Sequence, residues 1–270
     1  MPSTEDLSLD VADGIALITF NRPDAQNTLT GPMMTALGEA YQRCDADDAV
    51  KVVIVTGSGT SFCAGADLSA GGDTFGDAEA DFSSCPLSFQ AWDVRKPVIA
   101  ACNGHAIGVG LSIAMQADLR VFAEEGKYGF LQNRRGVVAD FAMESVLPRV
   151  VGFERAFELL VRAPRLTGAE AGDWGLASRV VAAEAVLPTA LELAEEMAQQ
   201  CAPLVMGLHK RLLWQGMHKD LNEMIDLETR ALHHSMQQPD AVEGGAAWFE
   251  KRPPQWTGSV SRDWPDGWDD

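Results

Sequence analysis

"VKVVIVTGSGTSFCAGADL" runs from Val50 to Leu68, and its first half decides the fold. "VKVVIVTG" reads as a strand with almost no polar interruption. Alternation is expected of a strand with one wet face. A continuous apolar run is expected where both faces are covered and the neighbours run parallel. Upstream, "LSLDVADGIALITFN" alternates around Asp13-Gly14 and predicts a hairpin of strands 7–11 and 15–20. "TGPMMTALGEAYQRCD" then places Met33, Met34, Leu37, Tyr41 and Cys44 at helical spacing behind Thr30, a candidate cap. Downstream the alternation continues: a helix to about Arg95, the strand "PVIAAC", a glycine turn, the helix "VGLSIAMQA" and the strand "DLRVFA". Strand and helix alternating this way predict an α/β domain.

From about Gly152 the pattern turns helical, with one short strand near 178–181. A boundary around Ala185 separates a core over 1–184 from an all-helical region over 185–270. The stretch "PPQWTGSVSRDWPDGWDD" mixes turn formers, acids and Trp, and is expected to be loosely ordered or to pack on a neighbour.

Composition narrows the function. The 270 residues are 46% hydrophobic and 22% charged, as in an ordinary soluble globular protein. The net charge of -18 argues against nucleic acid or an anionic membrane surface as partner, since both require clustered Lys and Arg. A phosphorylated small molecule needs only a few local cations. No apolar run reaches the roughly 20 residues of a membrane span, and "MPSTEDLSLD" lacks the features of a signal peptide. The five cysteines form no CxxC pair, so reduced thiols and a cytoplasmic location are expected. The histidines show no metal spacing, and no metal is expected.

"SGTSFCAGADL" (Ser58 to Leu68) and "NGHAIGVGLS" (Asn103 to Ser112) share a design. Each follows a buried strand, carries glycines that admit a ligand close to the backbone, and is expected to open a helix whose first N–H groups lack partners. Such groups bind anions, and two converging on one oxygen form an oxyanion hole. Two tight turns with no ligand fit the spacing equally. "GVGLSI" lacks the third glycine of a dinucleotide fingerprint and is not a hydrolase elbow. Cys102 and His105 in "CNGH" are close in sequence, which is not how nucleophile and base usually meet.

Asp140, in "RRGVVADFAMESVLPRVVG", has apolar neighbours on both sides. A carboxylate there loses hydration and needs a partner, a helix to cap, or a chemical task. As a cap for "FAMESVLPRV" it lacks its box residue, because the position three on is Met143.

"NRPDAQNTLT", "SFCAGADL", "NGHAIGVGLSIAMQADLR", "LPRVVG", "AGDWGLASRVV" and "FEKRPPQW" together resemble the crotonase (enoyl-CoA hydratase/isomerase) superfamily, in order and over nearly the whole chain. The resemblance implies an α/β spiral of ββα units with a C-terminal helical domain that assembles trimers or hexamers. It also implies an acyl-CoA thioester as ligand, with no separate cofactor. Matched onto this chain, the oxyanion donors are the N–H groups of Ala66 and Val109. Ala64, Gly65, Asp67, Leu68, Gly108, Gln132 and Lys251 are expected to line or touch the bound thioester. Asp67 also reads as a structural residue at a helix end.

Two departures stand out. The two glutamates of the best-known hydratases match Ser112 and Gln132, neither of which is an acid. The "NRP" stretch has Ala25 and Gln26 where a basic residue often meets CoA phosphate; Lys251 or Arg252 is expected to supply that charge. Asp140 matches the working acid of other branches, dienoyl-CoA isomerases among them, and is the expected catalytic acid/base; Glu144, one turn on, is a candidate assistant. One carboxylate suffices to move a proton along a chain, so double-bond isomerisation is favoured over hydration. The alternatives are a non-catalytic acyl-CoA-binding protein, or a CoA-thioester dehalogenase or hydrolase. Gln132 and Cys85 occupy the places where a dehalogenase's supporting groups belong.

Overall fold

The computed structural model describes residues 5–69, 71 and 83–268. Two sheets organise them. The larger has six strands in the order β1 (Leu7–Ala12), β2 (Ile15–Phe20), β3 (Val52–Gly57), β5 (Val98–Cys102), β7 (Leu119–Ala123) and β10 (Arg179–Val181). Apart from the antiparallel β1–β2 hairpin, neighbours run parallel. The second sheet has four short strands, β4 (Ser61–Cys63), β6 (His105–Ile107), β8 (Lys127–Gly129) and β9 (Leu166–Thr167).

The apolar run of β3 is explained by its two covers. Val53 and Val55 face the core that also holds Phe62, Cys63 and Leu111. Val52 and Ile54 face the opposite side, against Ala190, Ala194 and Ala198 of helix α6 (Val186–Gln200). Successive side chains of a strand point to opposite faces, so two buried faces require an unbroken run. Small alanines let the helix lie close to the sheet.

Helix α1 (Gly31–Ala46) starts where expected, with the Thr30 hydroxyl accepting from the N–H of Met33. Helix α2 (Val109–Met115) leaves the second glycine turn, and α3 (Met143–Val151) follows Asp140. The chain continues through α4 (Phe153–Phe157), a π-helical turn (Glu158–Arg162), and α5 (Gly168–Asp173). Beyond α6 come α7 (Pro203–Gly216), α8 (Leu221–Met236), α9 (Pro239–Glu250) and the short α10 (Val260–Asp263).

Three expectations are corrected. Residues 83–97 hold no helix. Side chains satisfy the backbone there instead: the N–H of Gln90 donates to Asp93, that of Ala91 to Gln116, and that of Arg95 to Asp45. The first glycine turn opens no helix among the described residues; it carries strand β4. Residues 254–268 are not loosely ordered: Val260 and Trp268 are buried and Ser261 donates to Asp48 of the same chain. Among the described residues no helix is long and apolar enough to cross a membrane.

Candidate active site

The first glycine turn is laced to the segment before α1. Asn27 is fully buried, and its Nδ2 donates to the carbonyls of Ser58 (2.9 Å) and Ser61 (2.7 Å). Its Oδ1 accepts from the N–H of Arg22. Arg22 Nη1 then reaches Asp67 Oδ2 at 3.0 Å, and Asp67 Oδ1 accepts from Ser69 N–H. Asp67 therefore braces the turn and ends no helix among the described residues. Those hydrogen bonds and the Arg22 guanidinium hold its carboxyl below the usual carboxylate range. Ala64 N–H donates to Gln26 O, while Leu29 N–H donates to Gly65 O and Asp67 N–H to Leu29 O. This bridge uses the amides on either side of Ala66 and leaves the Ala66 N–H out. Leu68 is exposed.

In the second turn Gly108 adopts φ 56° and ψ -127°, a conformation open to glycine. Its N–H donates to Gly129 O, and its carbonyl accepts from Leu111 and Ser112. Val109 is the first residue of α2, so its N–H precedes the first intrahelical bond.

The two turns lie side by side. Strands β4 and β6 pair in parallel, Ser61 with His105 and Cys63 with Ala106. A Cβ added to Gly65 would stand 3.1 Å from Ile107 O, and one added to Gly110 would collide with Cys63 O. Glycine at both positions is what permits the approach.

Asp140 does not cap α3. Ala142 occupies that place, and Phe141 and Ala142 are both left-handed, at φ 55° and 53°. Two consecutive non-glycine residues in this region store backbone strain. Phe141 is fully buried and its N–H donates to Ser84 O. That anchor holds the bend, which frees the Asp140 carboxyl from the helix end.

The carboxyl is part-buried among three positions singled out from the sequence. Gln132 Nε2 approaches Asp140 Oδ1 at 3.5 Å, while the nearby Ser112 hydroxyl donates to Gly108 O at 3.4 Å. Burial pushes the Asp140 pKa up; the polar Ser112 and Gln132 side chains oppose this, and the nearby Glu144 charge adds to it. Glu144 itself is exposed. A cavity of about 530 Å³ opens beside this cluster. Phe130, Val137, Ala139, Phe153, Phe157 and Leu160 supply apolar wall, with Gln132 and Glu144 among its polar lining.

Other candidates are not assembled. His105 Nδ1 accepts from Lys127 N–H, and Cys102 is fully buried with its pKa pushed well up by burial. Burial likewise raises Cys85, and Cys63 to about 12, so both stay thiols at neutral pH. Lys251 is exposed where α9 ends, whereas Arg252 is already held by Glu243 and Glu250, each at 2.6 Å. Arg252 is thus no spare charge for a phosphate. Among the described residues no three ligating side chains cluster for a metal.

The sequence reading missed Arg22 and Asn27 as the brace of the first turn. A polar pair beside a proline-containing turn was the available signal. It also missed that Ser112 and Gln132 touch Asp140.

Residues 10–259 match the family described as enoyl-CoA hydratase/isomerase. The chain is 37% identical over 249 residues to enoyl-CoA hydratase ACTT3 of Alternaria alternata, covering 90% of this chain and 83% of that protein. It is 32% identical over 254 residues to 1,2-epoxyphenylacetyl-CoA isomerase of Escherichia coli, covering 92% of this chain and 97% of that protein. Among solved structures, a probable enoyl-CoA hydratase/isomerase from Mycobacterium abscessus superposes with a TM-score of 0.90 at 41% identity, over 94% of this chain and 99% of that one. With the paired glycine turns and the two-sheet core already described, these matches place the chain in the enoyl-CoA hydratase/isomerase family, within the crotonase superfamily.

Proposed function

We propose that the chain isomerises the double bond of an enoyl-CoA thioester, using Asp140 as its one acid/base and the N–H groups of Ala66 and Val109 as an oxyanion hole. The single observation that carries this reading is the surroundings of Asp140. Its carboxyl meets two neutral side chains, Ser112 and Gln132, at the positions where the resemblance leads one to look for acids.

A thioester carbonyl set between the two turns makes its α-carbon acidic. Asp140 takes the C2 proton of a 3-enoyl thioester. The C–H electron pair moves toward the carbonyl oxygen, and the resulting dienolate is stabilised by the two backbone donors. The same carboxyl, now protonated, delivers the proton to C4, and the double bond closes between C2 and C3. One group both removes and returns the proton. Hydration asks for a base on water and an acid for carbon, which is harder with one carboxyl. A raised pKa makes Asp140 a stronger base for a carbon acid. The apolar cavity beside it suits an acyl chain.

Ala64, Gly65, Leu68 and Gly108 form the backbone walls around the thioester in this reading, and Lys251 meets the CoA phosphates. Asp67 acts through Arg22 to keep the first turn in shape. The working form is a homotrimer, or a hexamer of paired trimers, in the cytoplasm. The exposed Leu221, Ile225, Leu232 and Trp248 on α8 and α9 supply apolar surface for such contacts. The experiment is a screen of 2-enoyl, 3-enoyl and dienoyl thioesters. The reading expects the highest kcat/KM on a 3-enoyl or dienoyl substrate, and hydration of 2-enoyl thioesters as the dominant activity would overturn it.

A further inference from the structure

A second cavity lies at the opposite end of the strands from the glycine turns. Pro97 and Leu119 line it at the starts of β5 and β7, whereas the second glycine turn follows the end of β5. Its volume is about 470 Å³, inside the range of about 300–1,000 Å³ usual for small-molecule sites. Helix α3 contributes to both cavities through different residues, Glu144 and Pro148 to the first, Val146 and Val150 to the second. Met115, Met197, Met206 and Met217 supply much of the remaining wall, and methionine adapts to the shape of an apolar guest.

Three charged side chains also line this cavity, and two of them answer each other. Lys210 is almost fully buried, and its ammonium donates to Asp118 Oδ2 (2.8 Å), Ala91 O (2.7 Å) and Lys96 O (3.0 Å). Asp118 accepts further from the N–H of Val98 and from Trp214 Nε1. Both groups are therefore fully engaged. Arg120 is not. Its Nε donates to Leu176 O and its Nη1 to Ala117 O, and among the described residues no carboxylate pairs with it. Burial pushes its pKa down, opposed by the charge of Asp118. A guanidinium has five N–H donors, so Arg120 keeps some for a guest.

We propose that this second cavity binds a medium-chain carboxylate, with the head group on Arg120 and the chain among the methionines. The Lys210–Asp118 pair cancels, so with histidine counted as neutral the lining carries one unanswered positive charge and matches a monoanion. The planar guanidinium presents a paired edge to the two oxygens of a carboxylate, a contact stronger than one to a neutral hydroxyl. An alcohol of the same length makes the apolar contacts and leaves the cation without a counter-charge. This site stands apart from Asp140 and does not depend on the acyl-CoA reading. A second copy of the chain is the other occupant the cavity could take, and the test separates the two.

Cys201 provides a local reporter, since it is exposed and lines this cavity. Its alkylation by N-ethylmaleimide, followed by mass spectrometry of the peptide that carries it, is measured against octanoate and octan-1-ol. In the wild type octanoate is expected to protect Cys201 at a concentration at least about tenfold lower than the alcohol. In Arg120→Met that ratio is expected to fall to within about twofold. Equal protection by the two probes, or none by octanoate, would overturn the proposal without any variant. A preference that persists in Arg120→Met would overturn it as well, because another cation would then hold the head group. Where Arg120→Met fails to fold, Met206→Trp decides in its place, since it fills the cavity and leaves the guanidinium. Octanoate protection should then be lost, and its survival would place the carboxylate elsewhere. A Cys201 that does not react at all in the wild type would mean that a second copy covers the cavity, which also overturns the proposal.

Discussion

Gln132 and Asp140 face each other side chain to side chain, Nε2 to Oδ1 at 3.5 Å, across eight residues of sequence. The contact is long for a hydrogen bond of this type. It orients the carboxyl without locking it, which the proposed proton transfer between two carbons of one chain would require. A second acid in place of Gln132 would raise the Asp140 pKa further by like-charge repulsion. A neutral amide leaves burial as the main upward influence.

Asp140→Asn keeps the volume and removes the proton carrier. Turnover is expected to fall by about 10²–10⁴ while acyl-CoA binding persists. In D₂O, a 3-enoyl thioester should acquire deuterium at C2 or C4 with the wild type and not with the variant. Full activity in Asp140→Asn would leave the carboxyl without a chemical role.

The pH dependence of stability has a definite sign. Folding raises the Asp140 pKa, so between the unfolded and folded values the folded state holds more of the proton. The stability linked to this group is fully present below the unfolded value and is lost as pH rises through the folded one. Asp140→Asn removes that loss. The variant should melt higher than the wild type at neutral pH, with the gap closing as pH falls toward the ordinary carboxylate range. Calorimetric melting at a series of pH values checks both the sign and the closure.

Ser112→Ala removes the hydroxyl whose proximity lowers the Asp140 pKa. The acidic limb of the kcat/KM profile should move to higher pH, and the loss at the optimum should stay below about tenfold, far less than for Asp140→Asn. A profile that keeps its acidic limb in place would show that Ser112 does not act on the carboxyl.

Ala142 is exposed and left-handed at φ 53°, so Ala142→Gly sacrifices little contact and relieves strain. Urea unfolding should show a gain of about 1 kcal/mol. Gly110→Ala works in the opposite direction, because its methyl group would enter the space of Cys63 O. The two turns would have to part, and under the proposed oxyanion hole the misaligned donor is expected to cost about 10²–10³ in kcat.

What could be read without coordinates follows from the range of the interactions involved. Strand β3 was legible because its burial is written into consecutive residues, and α1 because Thr30 caps it from the adjacent position. The second sheet was not, since its strands are only two or three residues long and no period develops. The segment before β5 misled for another reason. Arg95 is held by Asp45, fifty residues away, and a local pattern cannot report that. The same limit applied at the site. Asp140 stood out because its immediate neighbours are apolar, whereas Ser112 reaches it from a different element altogether.

Arg95 Nη1 donates to the carbonyl of Val260, 165 residues further along, and its ring partner Trp264 follows shortly after. During synthesis, at about 5–20 residues per second, the ribosome takes on the order of ten seconds to deliver that partner. Until then Arg95 and the end of α1 have no cover from Val260, and the pocket that receives Trp268 beside Leu204 and Leu208 stays open. The nascent chain can form its sheets early but must wait to close. A ribosome stalled before Val260 should therefore display a protease-sensitive intermediate, and one stalled on an added C-terminal linker that carries Trp268 out of the exit tunnel should not.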